Sequence, residues 1–390
     1  MHKCSHFPHC GGCSLLETGY PQQLSLKKKI LQDCFSSSNV TIKDIVASPS
    51  PWFYRHKVQL PFGFDKKQGG LVLGCYGVDS HSVVNQAGCV IQDKDLTAVV
   101  SVIREWAKRC HQSPYNEQSG SGFLRHVLLR KGAGTGEILI GIVTNGEQHR
   151  GSRHLSNLLL QLLEDRLDKK SRIVGIVQNI NTRRTNVVLG EKEVIWWGRP
   201  YLKEVLGTLK FKVGLSTFFQ VNPYQTPNLY DEVKKWIPQG ASVLDLYSGT
   251  GSIALWVSPG ATEVTGIEEN RASVEAARFA AKLNQITNVK FMTGDTAQIL
   301  PSMVMKGYSV AVVDPPRKGL DSNVVKMILN SSLEKLIYVS CNPQSLARDI
   351  SVFKEGFRVV SLQGFDMFPH TEHVECVAVL SRKQSGCRCT

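Results

Sequence analysis

The feature that most constrains the fold is a regular alternation of apolar runs and helical patterns over residues 242–350. The apolar runs are rich in Val, Ile and Leu and predict buried strands at 242–246, 263–268, 289–293, 309–314 and 335–340. Helical patterns fall between and after them, at 252–257, 271–283, 323–329 and 344–350. Strands that alternate with helices form βαβ units, so this region predicts a doubly wound parallel α/β sheet.

The end of the chain departs from that alternation. Strands are predicted at 357–365 and 374–380. The loop between them is too short for a crossover helix, so the two strands should pair antiparallel. A parallel sheet closed by such a hairpin resembles the class I methyltransferase fold, whose members depend on S-adenosylmethionine (AdoMet).

The first half of the chain predicts an α+β domain. Its first helix, at 21–35, places Leu24 and Leu31 on an apolar stripe and turns Lys27 to Lys29 towards water. The basic and aromatic stretch 54–57 is typical of an RNA-facing surface or of an ordinary strand edge. We expect one domain at 1–210 and a second at 211–390. Further helices are predicted at 93–110 and 153–167, and strands at 58–62, 71–73, 123–130, 137–143, 173–180, 185–189 and 193–197.

Glycines and acidic residues follow the predicted parallel strands. The first strand runs into Tyr247-Ser248-Gly249-Thr250-Gly251, where glycine lets the backbone approach a ligand closely. This turn lacks the third small residue of a dinucleotide-binding loop, and it resembles motif I of AdoMet methyltransferases. The carboxyl ends of parallel strands meet at one edge of a sheet, so the acidic residues predict a nucleotide cleft there. They follow the next three strands in order, as Glu268, Asp295 and Asp314.

Cys341 directly follows the strand 335–340. One interpretation is a buried structural cysteine, since free cysteine is among the most buried residue types. The other is a nucleophile for C5 methylation of a pyrimidine, because a thiolate added to carbon 6 makes carbon 5 able to accept a methyl group. The C5 proton must then leave to a base. Glu375, which begins the last strand, is the candidate base, and an exposed strand-end carboxylate is the alternative.

Cys4, Cys10 and Cys13 form a C-x5-C-x2-C pattern near the start of the chain. Clustered thiolates hold zinc or an iron–sulfur cluster. The chain has no second C-x2-C pair nearby, which favours a [4Fe–4S] cluster with a distant fourth cysteine. His2, His6 and His9 keep zinc as the alternative. The candidates for the fourth ligand are Cys34, Cys75, Cys89 and Cys110.

Several stretches together resemble the family of RNA uracil-5-methyltransferases, which includes 23S ribosomal RNA enzymes and the tRNA T-loop enzyme. They are Phe218-Phe219-Gln220-Val221-Asn222, Asp245 to Gly251, Asp314-Pro315-Pro316-Arg317, Val339-Ser340-Cys341-Asn342-Pro343 and His370 to Glu375. The resemblance implies that Cys341 is the nucleophile and Glu375 the base. It also implies an AdoMet site formed by Gln220, Tyr247, Glu268, Asp295 and Asp314.

The ribosomal branch of that family carries a [4Fe–4S] cluster on C-x5-C-x2-C and a later cysteine. Cys4, Cys10 and Cys13 match the triplet, and the setting of Cys89 best matches the fourth ligand. The resemblance therefore implies C5 methylation of a specific uridine in 23S ribosomal RNA through a covalent cysteine–C6 adduct.

Three other functions stay open. A tRNA uracil-5-methyltransferase differs only in its substrate. RNA cytosine-5-methyltransferases carry a second cysteine after their Asp-x-Pro motif, where this chain has Arg317, and an aromatic residue at that place would favour amine methylation. The third is a non-catalytic RNA-binding assembly protein. The net charge of +13 favours a polyanionic partner such as ribosomal RNA.

No apolar run approaches the roughly 20 residues that span a bilayer. The first residues also lack the apolar core of a signal peptide. We therefore expect a cytoplasmic, monomeric protein that contacts no membrane. The tail from Gln384, with Cys387 and Cys389, is expected to be disordered.

Overall fold

The computed structural model describes residues 2–36, 40–65, 69–147, 152–163, 165–304 and 307–383, so the tail with Cys387 and Cys389 lies outside them. The helices are α1 Tyr20–Cys34, α2 Lys94–Arg109, α3 Ser152–Leu163, α4 Thr226–Lys235, α5 Ser252–Val257, α6 Arg271–Leu283, α7 Thr296–Val304, α8 Ser322–Leu329 and α9 Pro343–Phe353. The strands are β1 Lys57–Asp65, β2 Gly70–Tyr76, β3 Val83–Asn85, β4 Leu124–Lys131, β5 Glu137–Thr144, β6 Arg172–Ile180, β7 Lys192–Gly198, β8 Tyr201–Leu206, β9 Leu209–Gly214, β10 Ala241–Leu246, β11 Ala261–Glu268, β12 Val289–Thr293, β13 Val310–Val313, β14 Lys335–Ser340, β15 Phe357–Phe365 and β16 Glu375–Arg382.

The second half of the chain forms a seven-stranded sheet in the order β12-β11-β10-β13-β14-β16-β15. β10 pairs parallel with β11 and with β13, and β14 continues the parallel series. β16 pairs antiparallel with both β14 and β15. Helices pack on both faces around Val, Ile and Leu side chains of the strands. The predicted doubly wound sheet with a terminal antiparallel hairpin is confirmed.

The first half of the chain forms a mixed seven-stranded sheet in the order β3-β2-β1-β4-β5-β6-β7. β1 changes partner at Pro61, pairing with β4 over residues 57–61 and with β2 over residues 62–65. Proline has no backbone N–H to donate to a neighbouring strand. A strand therefore tolerates proline at a point where its pairing changes from one partner to another. β8 and β9 form a separate hairpin that the sequence analysis did not predict.

Two local predictions in this half are wrong. Residues 185–189 do not form a strand, because the Asn181 side chain donates to the carbonyl oxygens of Val187 and Val188, at 2.7 and 3.0 Å. These side-chain hydrogen bonds take the place of a strand ladder. The helix predicted at 153–167 ends at Leu163 among the described residues.

The first helix packs against the second sheet, which corrects the prediction for Lys27. Leu31 and Ile45 lie in the core on one face of that sheet. Lys27 is fully buried on the same side of α1, where its Nζ lies 2.5 Å from Oδ1 of the equally buried Asp366. Residues one helical turn apart share a face, so the buried face runs through Gln23, Lys27 and Leu31. The domain boundary at 210 stays a prediction.

The stretch 54–57 is half-buried or buried rather than an exposed surface. Tyr54 is buried and its hydroxyl donates to the carbonyl oxygen of Pro369 at 2.9 Å. The His56 ring is buried as well. Among the described residues, no helix is both long and apolar enough to cross a bilayer.

Candidate active site

The register of the second sheet brings Cys341 and Glu375 together. Ser340, the last residue of β14, faces Cys376 in β16. The next pair outward is therefore Cys341 and Glu375. Facing residues of antiparallel strands have Cα atoms roughly 4.5–5.5 Å apart, so the thiol and the carboxyl lie side by side at the carboxyl end of the parallel strands.

The Cys341 thiol lies in a setting that disfavours its charged form. Burial and then the carboxyls of Glu375 and Asp314 raise the pKa of Cys341 to about 11. The guanidinium of Arg317 acts in the opposite direction and lowers this pKa. Arg317 is exposed, and its Nη2 lies 3.4 Å from Nδ1 of His373. The free protein therefore holds a neutral thiol at pH 7 with one cation beside it.

Three carboxyls at this edge have raised pKa values, and two of them, Glu375 and Asp314, act on the thiol. Burial, with a smaller contribution from Asp314, raises the pKa of Glu375 to about 8, and burial alone raises the pKa of Asp314 to about 7. Burial and Asp314 raise the pKa of Asp245 to about 8. Sequence reasoning gave Asp245 no role, although a charged residue inside the apolar strand β10 was a usable signal. Its Oδ2 accepts from Ala254 N at 3.1 Å, whereas its buried Oδ1 has no partner among the described residues.

The glycine turn after β10 is strained and open. Tyr247 has φ +63°, and Gly249 and Gly251 have φ +53° and +74°. A Cβ on Gly251 would come within 2.4 Å of the Phe291 ring, whereas no atom lies within 4 Å of one on Gly249. Gly249 N donates to Oε2 of Glu268 at 3.0 Å. The turn therefore leaves room for a ligand next to the carboxylate that ends β11.

The remaining predicted cofactor residues lie around the same edge. Asp295 is exposed after β12, and its Oδ1 accepts from Ala297 N at 2.8 Å. Gln220 is half-buried and hydrogen-bonds the hydroxyl of Tyr230, which in turn contacts Ser252 at the start of α5 at 2.8 Å. The fold thus brings Tyr247, Glu268, Asp295 and Asp314 to one sheet edge and connects Gln220 to it.

The segment 366–374, which leads into Glu375, is held by the N-terminal part of the chain. The carbonyl oxygen of His370 accepts from the backbone N–H groups of Ser14 and Leu15, at 3.1 and 3.0 Å. The Gln23 amide oxygen accepts from His370 N at 2.9 Å, and its nitrogen lies 3.0 Å from His370 Nδ1. Trp52 stacks on the His370 ring with centroids 3.9 Å apart. Sequence reasoning missed these contacts, which join residues more than 300 positions apart.

A second site is the cysteine cavity, which is lined by Cys4, Cys10, Cys13, Cys75 and Cys89 and has a volume of about 240 Å³. Of the four candidates for a fourth ligand, Cys75 and Cys89 line it. Cys34 packs against the core of the second sheet and Cys110 against that of the first. The fold therefore brings the N-terminal triplet together with two later cysteines.

Arg55, which sequence reasoning had assigned to a surface, contributes a positive charge to the cysteine cavity. Its guanidinium lines the cavity and donates to the carbonyl oxygen of Gly12 at 3.3 Å. A hydrogen bond from Cys75 lowers the pKa of Cys10 to about 6, and burial raises the pKa of Cys13 to about 12. Within the described residues, no three His, Cys, Asp or Glu side chains converge on a point that could hold a single metal ion.

Comparison with known proteins assigns the class of the chain. The model of the family described as tRNA (Uracil-5-)-methyltransferase matches residues 217–383. A curated protein of Leptospira interrogans, described as an uncharacterized RNA methyltransferase, is 43% identical over 385 residues, covering 97% of this chain and 98% of that protein. One of Clostridium acetobutylicum with the same description is 37% identical over 390 residues, covering 97% and 83%.

A solved structure agrees with these relatives. The tRNA (uracil-54, C5)-methyltransferase of Pyrococcus abyssi, in complex with S-adenosyl-L-homocysteine, superposes with a TM-score of 0.75 at 27% identity. The match covers 96% of this chain and 86% of that one. Fold and relatives together define an RNA methyltransferase with a Rossmann-like catalytic sheet. Within that class, the chain belongs to the RNA uracil-5-methyltransferase family.

Proposed function

We propose that this protein methylates carbon 5 of a specific uridine in 23S ribosomal RNA, using AdoMet and a covalent bond between Cys341 and carbon 6 of the base. The observation that carries the proposal is the juxtaposition of Cys341 and Glu375: they lie one position beyond the facing pair Ser340 and Cys376, and the Glu375 carboxyl raises the pKa of the Cys341 thiol. A thiol and a carboxyl that face each other supply both the nucleophile and the base that C5 methylation needs.

The residues act in a fixed order. Cys341 loses its proton to solvent, and Arg317 favours this step because the guanidinium lowers the pKa of the thiol. The thiolate then bonds to carbon 6, and negative charge spreads from carbon 5 to the carbonyl oxygen of the base. After methylation, the carboxylate of Glu375 takes the C5 proton, and the bond between Sγ and carbon 6 breaks. The thiolate and the methylated uridine are then released.

AdoMet is the methyl donor in this proposal, and the site fits a cationic ligand. Tyr247, Glu268, Asp295, Asp314 and Gln220 are the residues proposed to hold it. The support is Oδ1 of Asp245, which is buried without a partner among the described residues, and three carboxyls whose pKa values are raised mainly by burial, with Arg317 as the cation beside Glu375. When bound, AdoMet supplies a methyl group on a positively charged sulfur.

Two variants test the mechanism. Cys341→Ala should abolish turnover and any covalent protein–RNA species, while AdoMet binding measured by calorimetry should persist. Glu375→Gln keeps the shape of the side chain but has no basic carboxylate, so methylated RNA should accumulate bound to Cys341 and appear as a shifted band in a denaturing gel. Product release by Glu375→Gln at the wild-type rate would assign the base to another group.

We also propose a [4Fe–4S] cluster on Cys4, Cys10, Cys13 and Cys89. The support is the cysteine cavity, whose thiol donors suit iron–sulfur clusters and whose buried guanidinium offsets the negative charge of several thiolates. Zinc is less favoured, because structural zinc sites usually combine two C-x2-C-like pairs, and the triplet has no second pair nearby. A bound cluster supplies a rigid link between the four cysteines.

Anaerobic purification tests the cluster assignment. The wild type should be brown, absorb broadly in the visible range, and contain on the order of one four-iron cluster per chain. Cys89→Ser should lose the colour. Cys75→Ser is the matched control in the same cavity, and Cys110→Ser is a control outside it. A colourless protein with one zinc would overturn the cluster but leave the methyltransferase proposal intact.

The target RNA needs its own test. The similarity to a tRNA (uracil-54, C5)-methyltransferase makes tRNA a second candidate substrate, whereas the N-terminal cysteine pattern favours 23S ribosomal RNA. Mass-spectrometric mapping of 5-methyluridine and 5-methylcytidine in ribosomal and transfer RNA, with and without the protein, separates these substrates. Modified tRNA with unmodified ribosomal RNA would refute the ribosomal assignment.

A further inference from the structure

A wide groove of about 840 Å³ lies between the first sheet and the segment that carries Gln220. It is bounded by residues 50–53, the start of α2, the turn 131–136, residues 166–172 and Tyr224, and we name it the flank groove. We propose that the flank groove binds the single-stranded RNA next to the target uridine. This inference rests on the proposed function, because it concerns the substrate of that same site.

The acidic residues of the flank groove are neutralised within the protein. Lys131 Nζ lies 2.9 Å from Oδ2 of Asp93 and 2.6 Å from Oδ2 of Asp95. Asp95 also accepts from the Ser171 hydroxyl at 2.6 Å and from Asp168 N at 2.9 Å. These acids therefore present little negative charge to a ligand.

Three cations on the rim remain available. Lys94, Arg166 and Lys170 are exposed, and none has a carboxylate partner in an ion pair of the described residues. Exposed Lys and Arg side chains along a groove suit the phosphates of a nucleic acid strand.

Aromatic side chains occupy the other end of the flank groove. Trp52 and Phe53 are half-buried and Tyr224 is 43% exposed. Phe53 has φ +54°, a conformation that bulky residues rarely adopt and that collects at functional sites. Lys94 Nζ lies 4.8 Å from the Phe53 ring centroid. Unstacked RNA bases bind to such rings, with cations nearby for the backbone.

The aromatic end is joined to the candidate active site through the segment 366–374, which leads into Glu375. Trp52 stacks on His370, five residues before Glu375, and Tyr224 follows Gln220 by four residues. An RNA strand whose uridine reaches Cys341 can therefore place its neighbouring bases on these rings and its phosphates at Arg166 and Lys170.

A compact phosphate ligand fits this groove less well than a strand does. The turn at 133–134 offers backbone N–H groups, but Ala133 N and Gly134 N already donate to the carboxylate of Glu204, each at 2.9 Å. Anion binding must then come from side chains spread along the rim. That spacing suits a chain of phosphates.

The test compares R166Q/K170Q with K282Q/K290Q, which removes two exposed lysines from α6 and β12. Each full-length protein is titrated with a fluorescein-labelled single-stranded oligoribonucleotide of about 20 nucleotides containing uridine, over a series of salt concentrations. If both rim cations contact phosphates, R166Q/K170Q should reduce the slope of log K against log salt by about 1.4, which corresponds to binding about 25-fold weaker at 0.1 M salt. The control should keep the wild-type slope. Tyr224→Ala should weaken binding roughly tenfold at all salt concentrations, because base stacking is not screened.

The outcomes separate this inference from the proposed function. Wild-type slope and affinity in R166Q/K170Q, with uridine methylation intact, would overturn the flank groove alone. If R166Q/K170Q loses as much affinity for a fully paired duplex of the same length as it loses for the single strand, the single-stranded assignment is overturned. If the wild type methylates no RNA, yet R166Q/K170Q binds RNA more weakly than the wild type does, the groove is supported and the proposed function is overturned. Calorimetric AdoMet binding that stays unchanged shows that the variants are folded.

Discussion

Replacing Lys27 by Met breaks an ion pair that joins the first helix to the segment leading to the candidate base. Both partners are fully buried, and removing one member of a buried pair costs about 3–5 kcal/mol because the other charge is left without a partner. Asp366 keeps one hydrogen bond, from the Tyr20 hydroxyl at 2.8 Å. We therefore expect a loss of about 3 kcal/mol, at the lower end of that range.

The assay is thermal unfolding followed by fluorescence. For a chain of 390 residues, 3 kcal/mol corresponds to a fall in Tm of about 4 °C if the protein unfolds as one unit. Lys28→Met is the matched control, because Lys28 pairs with the exposed Asp44 at 2.7 Å, and surface pairs contribute roughly 0–1 kcal/mol. The double variant K27M/D366N should lose less than the sum of its single variants, since neither charge remains buried alone. Equal Tm values for Lys27→Met and Lys28→Met would refute the reasoning.

Three further predictions concern the candidate active site. Gly251→Ala forces a residue with a side chain into a left-handed conformation and places its Cβ against Phe291. It should lower the free energy of unfolding by about 2–4 kcal/mol and weaken AdoMet binding. Gly307→Ala is the control, because φ is +81° there but the space is open, and it should lower the free energy of unfolding by only about 1–2 kcal/mol. Burial raises the pKa of Glu375 from 4.5 to about 8, so the stability that this carboxyl contributes is present below pH 4.5 and is lost as the pH rises through 8. Between pH 4 and 9, the free energy of unfolding of the wild type should fall by up to roughly 5 kcal/mol more than that of Glu375→Gln, as measured by thermal unfolding. Alkylation of Cys341 by iodoacetamide, followed by peptide mass spectrometry, should be slow at pH 7 and slower still in Arg317→Gln, and an unchanged rate in that variant would remove Arg317 from the activation of the thiol.

The second sheet could be predicted because its signals are local. Each strand is a short apolar run, and the acidic or thiol residue that follows it needs no partner elsewhere to be noticed. The positions of Glu268, Asp314 and Cys341 at one edge then follow from the parallel arrangement of the strands.

The residues that sequence reasoning misplaced owe their positions to contacts with distant parts of the chain. The apolar pattern of α1 predicted that Lys27 faces water. This prediction was wrong because the partner that allows Lys27 to be buried, Asp366, lies 339 residues away. Arg55 was assigned to a basic surface, although the cavity that buries its guanidinium is built from cysteines at 4–13 and 75–89. No local pattern contains this information, because burial of a charge depends on what the rest of the fold brings to it.

The candidate active site holds several acidic groups whose pKa values are raised, so that most of them are protonated at pH 7. Asp314 raises the pKa values of Asp245, Glu375 and Cys341, and Glu375 also raises the pKa of Cys341. The cation recorded beside the thiol and Glu375 is Arg317, which is exposed. The pKa of the thiol lies about 4 units above pH 7, so its deprotonation at that pH costs roughly 5 kcal/mol. A cationic ligand in this cleft lowers every one of these pKa values. Burial, and after it the carboxyls of Glu375 and Asp314, keep the thiol neutral in the free protein. A positively charged methyl donor would lower the pKa of the thiol as it binds, so that under the proposed mechanism the nucleophile and the donor become ready together.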